Sequence, residues 1–161
     1  MKTTYYLLML IILINISCDK TDSEIIAGKF SDERLTGSWA DTIVALPKGS
    51  YIYELEIDSN ATFKMKTTAL GIYPTDETKD TSSWWQNTGN LIQHKDSLYF
   101  NATTYKWWDS FYQMEVKTEI VNIWMYQFCT YTISSDLLTL KYITYPADAP
   151  VETFKTFTCS E

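Results

Sequence analysis

The chain has little of what most enzymes build their sites from. Its 161 residues include one histidine, His94, and three cysteines. No Cys, His or carboxylate cluster has metal-ligand spacing, and no glycine-rich stretch forms a phosphate loop. No metal and no cofactor are therefore expected. Glycine and proline are scarce, at five and four residues, while Tyr, Phe and Trp make up 16% of the chain. Such a composition can bury a core and is not that of a disordered protein. Basic residues are outnumbered 20 to 13, giving a net charge of −7. That excess of negative charge excludes nucleic acid and anionic membrane surfaces as partners. No apolar run reaches the ~20 residues that a transmembrane helix needs.

The first seventeen residues differ from all that follow. Lys2 is their only charge, and Tyr5–Ile16 (YYLLMLIILINI) is apolar except for Asn15. Ser17 and Cys18 come next, and the chain turns polar at once with Asp19, Lys20, Thr21, Asp22, Ser23 and Glu24. A short positive start, an apolar stretch and a small residue before a cut site describe a secretory signal peptide. The residues Asn15-Ile16-Ser17-Cys18 resemble the lipobox of bacterial lipoproteins, with Asn15 where Leu is usual. The resemblance implies cleavage before Cys18 and acylation of that cysteine, including palmitate-type chains. Several acyl chains anchor stably where one is marginal. It also implies an envelope location, on the outer membrane. Asp19, Asp22 and Glu24 resemble a surface-export signal of some Gram-negative lineages and otherwise serve as a solvated tether. Removing 17 of 161 residues leaves 144, a size for one domain. The expected organisation is a signal peptide over 1–17, a lipidated cysteine and acidic tether over 18–33, and one folded domain over 34–161.

Strand patterns dominate after a short helical turn predicted around Ser31–Leu35, capped by Ser31. The clearest hairpin is Tyr51–Lys66. Apolar Tyr51, Tyr53, Leu55 and Ile57 alternate with Ile52, Glu54 and Glu56, and Ala61, Phe63 and Met65 alternate with Thr62, Lys64 and Lys66. A loop at Ser59–Ala61 pairs Ile57 with Phe63, Glu56 with Lys64 and Glu54 with Lys66. Opposite charges then face each other on the solvent side. Leu91–His94 and Leu98–Thr104 flank the turn Lys95-Asp96-Ser97. Tyr112–Thr118 alternates as a strand. Val121–Ile133 reads as one long strand with Val121, Ile123, Met125, Tyr131 and Ile133 on one face, and Trp124, Tyr126 and Phe128 on the other. Ser134-Ser135-Asp136 turns into Leu137–Thr144 with Leu138, Leu140 and Tyr142 inward. Val151–Cys159 is the last strand, after a Pro-bounded turn. Gly71–Gly89 is read as an irregular stretch, a mouth loop or a lid. About eight short strands predict an all-β antiparallel barrel or sandwich.

Leu35-Thr36-Gly37-Ser38-Trp39 resembles the Gly-x-Trp signature that opens strand one of lipocalins, after a short helix. Leu55–Phe63 (LEIDSNATF), Tyr131–Leu140 (YTISSDLLTL) and Thr153-Phe154-Lys155 are similar to successive hairpin and closing-strand pieces of lipocalin-like lipoproteins. The four pieces, in order, cover most of 35–157; the middle third matches no motif. The resemblance implies an up-and-down eight-stranded barrel. It assigns Trp39 to the core across a closed base and Gly37 to a close backbone approach. Such a barrel holds one small ligand or is filled by side chains.

The remaining candidates are few. His94 and Ser97 are read as turn residues and not as a dyad, because nearness in sequence does not place side chains on one face. Glu54 and Glu56 share a face as paired carboxylates, but Lys64 and Lys66 oppose them as solvated ion pairs. No enzyme activity is expected. Strand register places Cys129 near Tyr142 and Cys159 near Asp136, ~20 Å apart at ~3.4 Å per residue. A disulfide needs Cα atoms within ~7 Å, so none is expected. Trp84-Trp85 and Trp107-Trp108, placed in or beside loops, point one ring each way. Together with Tyr126 they are the candidate ligand contacts, because exposed aromatics are costly without a partner. The expected role is a monomeric, membrane-anchored binding module taking a small apolar or amphipathic molecule at the barrel mouth. A protein-contact or inhibitor role, or glycan binding by the Trp pairs, are the alternatives.

Overall fold

The structure is a computed structural model that describes residues 30–44, 49–71, 80–112 and 115–160. The expected signal peptide, Cys18 and the acidic tether up to residue 29 lie outside the described residues. Nine strands follow in order: β1 Gly37–Val44, β2 Ser50–Ile57, β3 Thr62–Leu70, β4 Thr81–His94, β5 Ser97–Asp109, β6 Lys117–Met125, β7 Gln127–Ser134, β8 Leu137–Thr144 and β9 Val151–Cys159. All pairings are antiparallel, and β1 meets β9 through Trp39 opposite Cys159 and Ala40 opposite Thr158. β6 and β7 are two arms of one strand, bent where Tyr126 (φ 52°) and Phe128 (φ 53°) take left-handed backbone. Counted once, that bent strand completes a closed, up-and-down barrel of eight strands.

The Tyr51–Lys66 hairpin has the expected register. Ile57 pairs with Phe63, Glu56 with Lys64 and Glu54 with Lys66. The two ion pairs measure 2.6 Å and 3.8 Å, and both are solvent-screened, so they fix register more than they stabilise. Leu137–Thr144 and Val151–Cys159 also form as read.

Two of the expectations about strand placement fail. The stretch Gly71–Gly89 is not one loop: β4 begins at Thr81 and runs fourteen residues, pairing along β3 and β5. Polar Ser82, Gln86, Asn87 and Asn90 hide its period because the strand is covered on both edges and only partly on its faces. The strand expected over Tyr112–Thr118 forms, among the described residues, only at Lys117 and Thr118. Residues 110–112 turn, and pairing with β5 starts only at Lys117.

One end of the barrel is sealed. A 3₁₀ turn, Glu33–Leu35, lies against it with Leu35 fully buried. The cap is Asp32 and not Ser31: Asp32 Oδ1 accepts from Arg34 N at 3.2 Å. Arg34 also bonds both Asp32 carboxylate oxygens, at 2.9 and 2.8 Å, which holds that carboxyl below its ordinary pKa. Trp39 is 4% exposed, and its indole N–H donates to Leu35 O at 3.1 Å. Gln93 ties the turn down. Its Oε1 accepts from Ser31 N at 2.8 Å, and its amide donates to Tyr131 Oη at 2.6 Å. Above this seal lies a continuous core of Leu55, Ile57, Phe63, Leu91, Leu98, Phe100, Leu138, Leu140 and Phe157.

Gly37 is glycine for a different reason than close approach. A Cβ there would meet nothing within 4 Å, but its φ is +147°, a conformation that side-chain-bearing residues avoid. The close approach belongs to Gly89, where a Cβ would fall on the Asn101 carbonyl oxygen of the neighbouring strand.

Candidate functional site

Alternation along each strand fixes which side chains enter the barrel. Near the seal these inward positions are fully buried. Further along the same strands they are only half-buried. On β2, buried Ile57 and Leu55 give way to Tyr53 and Tyr51. On β5, buried Leu98, Phe100 and Ala102 give way, past a bulge, to Tyr105 and Trp107. On β8, Leu138 and Leu140 lead to Tyr142, and on β9, Phe157 leads to Lys155. The lower barrel is therefore filled, and the upper barrel is a shallow cup walled by aromatic rings.

One side of that wall is continuous. Tyr53 and Tyr51 lie 6.4 Å apart between ring centroids, as do Tyr51 and Trp85. Beneath these rings β3 presents the small buried residues Thr67 and Ala69. Large rings on β2 and β4 lean over a small-residue strand between them, which is how a narrow barrel accommodates them. Burial raises the Tyr53 phenol pKa, and proximity to Tyr51 and Asp41 adds to the rise.

The four tryptophans do point one ring each way, but from strands and not from loops. Trp84 pairs with Trp108, and Trp85 with Trp107, across β4 and β5. Trp85 and Trp107 share the inward face with Asn87 and Tyr105. Trp84 and Trp108 face out. With Lys66, Thr68, Thr81 and Val116 they line an open cleft of about 420 Å³ on the outer wall. Lys66 Nζ stands 5.9 Å from the Trp84 ring centroid.

Tyr126 lies elsewhere than its strand parity implies. The left-handed bend turns it inward, where it stacks edge-on against Phe100 at 5.5 Å and packs 4.4 Å from Tyr142. Its hydroxyl donates to Met65 Sδ at 2.9 Å. Burial drives its phenol pKa far above the ordinary value. It forms the floor of the cup. The same bend leaves Ile123, Trp124 and Phe128 half or more exposed, so the long strand does not keep Ile123 in the core. Among the described residues β6 pairs with β5 alone, and its other edge is unpaired.

Cys129 is buried, Cys159 is exposed, and both are free thiols. Cys159 N donates to Asp136 O at 2.7 Å, the neighbour expected from register. His94 and Ser97 are opposite one another across the base turn, on the outer face, and their side chains do not bond one another. Among the described residues no group of three or more His, Cys, Asp or Glu could hold a metal ion.

Comparison with known proteins finds no matching family, no matching curated protein and no matching solved structure. Function must therefore be read from the cup and the cleft themselves.

Sequence reasoning singled out the tryptophans because paired Trp is rare. It passed over Tyr51, Tyr53 and Lys155. The alternation of Tyr51 and Tyr53 with Leu55 and Ile57 marked them as inward, and inward tyrosines far from a sealed base were the available signal.

Proposed function

We propose that this protein is a lipid-anchored envelope binding module, lipocalin-like in architecture, that takes a small apolar or amphipathic molecule into the upper barrel. The observation that carries the reading is the change from fully buried to half-buried inward positions along β2, β5, β8 and β9. It makes a cup with an aromatic wall, the lining expected of a small-molecule site. The sequence supports the anchor through Cys18 and the signal-peptide pattern before it, and the outer membrane as its place. In this reading the barrel acts as a monomer, and the acidic tether holds it off the membrane. The reading includes no catalytic step.

Native mass spectrometry of the protein purified from its source cell tests it. A retained small molecule, lost in a Tyr51→Ala, Trp85→Ala double variant, is the expected result. An empty barrel that also fails to shift tryptophan emission with any amphipathic probe would sink the reading.

The outer cleft favours a second reading. Trp84 and Trp108 flank Lys66, Thr68 and Thr81, and flat rings beside hydroxyl and ammonium groups suit a sugar face. Glycan-array binding abolished by Trp108→Ala, with the cup variants unaffected, would support it over the first.

A further inference from the structure

Lys155 is a charge on the inside of the barrel that no ion pair among the described residues satisfies. It sits two residues along β9 from Phe157, which is fully buried. Its Nζ rests on the face of Tyr53, 2.7 Å from the ring centroid, and 5.5 Å from the centroid of Phe157. Among the described residues the ion pairs are Arg34–Asp32, Lys64–Glu56, Lys66–Glu54 and Lys141–Glu152. Lys155 has neither an ion pair nor a hydrogen bond there. Asp41 of β1 acts on it only at longer range.

An ammonium in that position is expensive. Burial disfavours the charged form and pulls its pKa from 10.5 to about 8. A Leu or Met would fill the same inward position with no desolvation cost. The ring of Tyr53 returns part of the loss through a cation–π contact, but a phenol face does not neutralise charge. Unpaired interior charges held against stability cluster at binding sites.

The groups around Lys155 suit an anion. Those facing this space are Asp41 of β1, Tyr51 and Tyr53 of β2, Tyr142 of β8 and Tyr126 at the bend. Burial raises the Tyr53, Tyr126 and Tyr142 phenol pKa values above the ordinary one. They stay neutral near pH 7, so they do not repel an anion. Asp41 is the single carboxylate in this set. Above them, Tyr51 and Trp85 form the apolar wall already described.

We propose that Lys155 is the counter-ion for the carboxylate head group of an amphipathic acid held in the upper barrel, with the apolar body against Tyr51, Trp85 and Trp107. This rests on the cup reading of the previous subsection and specifies its ligand class. The head group enters first and meets Lys155 at the boundary between cup and core. The order of burial is what makes the pairing strong, because the ligand displaces water from a charge that is already partly desolvated.

Decanoate and 1-decanol, with equal chains and different heads, separate the possibilities. Calorimetric titration would use the protein carrying Cys18→Ala, which removes the acyl anchor that the sequence implies. Decanoate is expected to bind at least about tenfold more tightly than decanol near pH 7, equivalent to ~1.4 kcal/mol. Lys155→Met should erase that preference while leaving decanol within about twofold; Lys155→Arg should keep it. Decanoate affinity should also fall as pH rises through the lysine's pKa, and Lys155→Met should remove that dependence. Thermal melts of each variant confirm that it folds. Equal binding of acid and alcohol, or an acid preference that survives Lys155→Met, overturns the counter-ion and leaves the cup. Binding of neither probe overturns both.

Discussion

Gly89→Ala adds one carbon where two strands leave no room for it. The register of β4 on β5 slips at this point: Thr88 faces Thr104, Gly89 faces Ala102, and Thr103 bulges between. A Cβ on residue 89 would fall on the Asn101 carbonyl oxygen and lie 2.9 Å from both Asn101 C and Ala102 Cα. All three obstacles are backbone, so no side-chain rotation relieves them. The strands must separate, and each ladder bond lost costs about 0.5–1.5 kcal/mol. Overpacking of this kind costs about 1–3 kcal/mol, and the entropy gained by replacing glycine offsets only about 0.4–1 kcal/mol. Asn101 Oδ1 is already buried without a hydrogen-bond partner, so the site has no slack in polar pairing either. A net loss of about 3 kcal/mol is expected, or roughly 10 °C in Tm for a domain this size. Urea titration followed by tryptophan fluorescence, with an unchanged m-value, measures it. A Gly89→Ala protein within ~0.5 kcal/mol of wild type would refute the close approach and the bulge geometry with it.

Three further outcomes are expected of the same barrel. Burial pushes the Cys129 thiol up to about 12, so at mildly alkaline pH the exposed Cys159 should react with a thiol reagent while Cys129 stays protected until denaturant is added. Lys155 binds its proton less tightly folded, at about 8, than its ordinary 10.5. Between those values the unfolded chain holds more protons, so stability rises with pH; Lys155→Met should be more stable than wild type below that window, and the two should converge above it, as read by Tm against pH. Trp39→Phe leaves the buried Leu35 carbonyl without its donor and should cost about 1–3 kcal/mol; a loss under ~0.5 kcal/mol would mean that the 3₁₀ turn is not what seals the base.

How much of this was legible in the sequence depended on whether one face of a strand met solvent. In β2 and β3 the alternation is clean and the charges pair across it, so Glu56 and Lys64 announced their register. The turn at Ser134–Asp136 did the same for β7 and β8. β4 hid itself because Ser83, Gln86, Asn87 and Thr88 are half-buried polar residues in a strand paired on both edges, and no hydrophobic period survives there. The tryptophan pairs were visible as residues but misplaced, because Ser83, Gln86 and Asn87 around the first pair and Lys106 and Asp109 around the second leave no clean alternation. Counting by twos set Tyr126 on the face opposite Met125, and a left-handed residue breaks that count. Lys155 could not be found by type alone: an inward lysine and an outward one differ only in parity, and its meaning came from the ring of Tyr53 beneath it.

The bend at Tyr126 has a mechanical consequence. Below it, β7 joins β8 continuously from Thr130 to Ser134 but meets β5 at a single paired position, Ser97 with Thr130, and through a bond from Tyr131 N to Asp96 O of 2.9 Å. Above it, β6 follows β5 along seven paired positions and leaves the β8 side. The cylinder is therefore slit part-way down one wall. Every hairpin on either side can keep its own hydrogen bonds while the slit widens, so the cup can change width by breaking almost nothing. Amide exchange along 127–130 should report this seam as the first place where the ring opens.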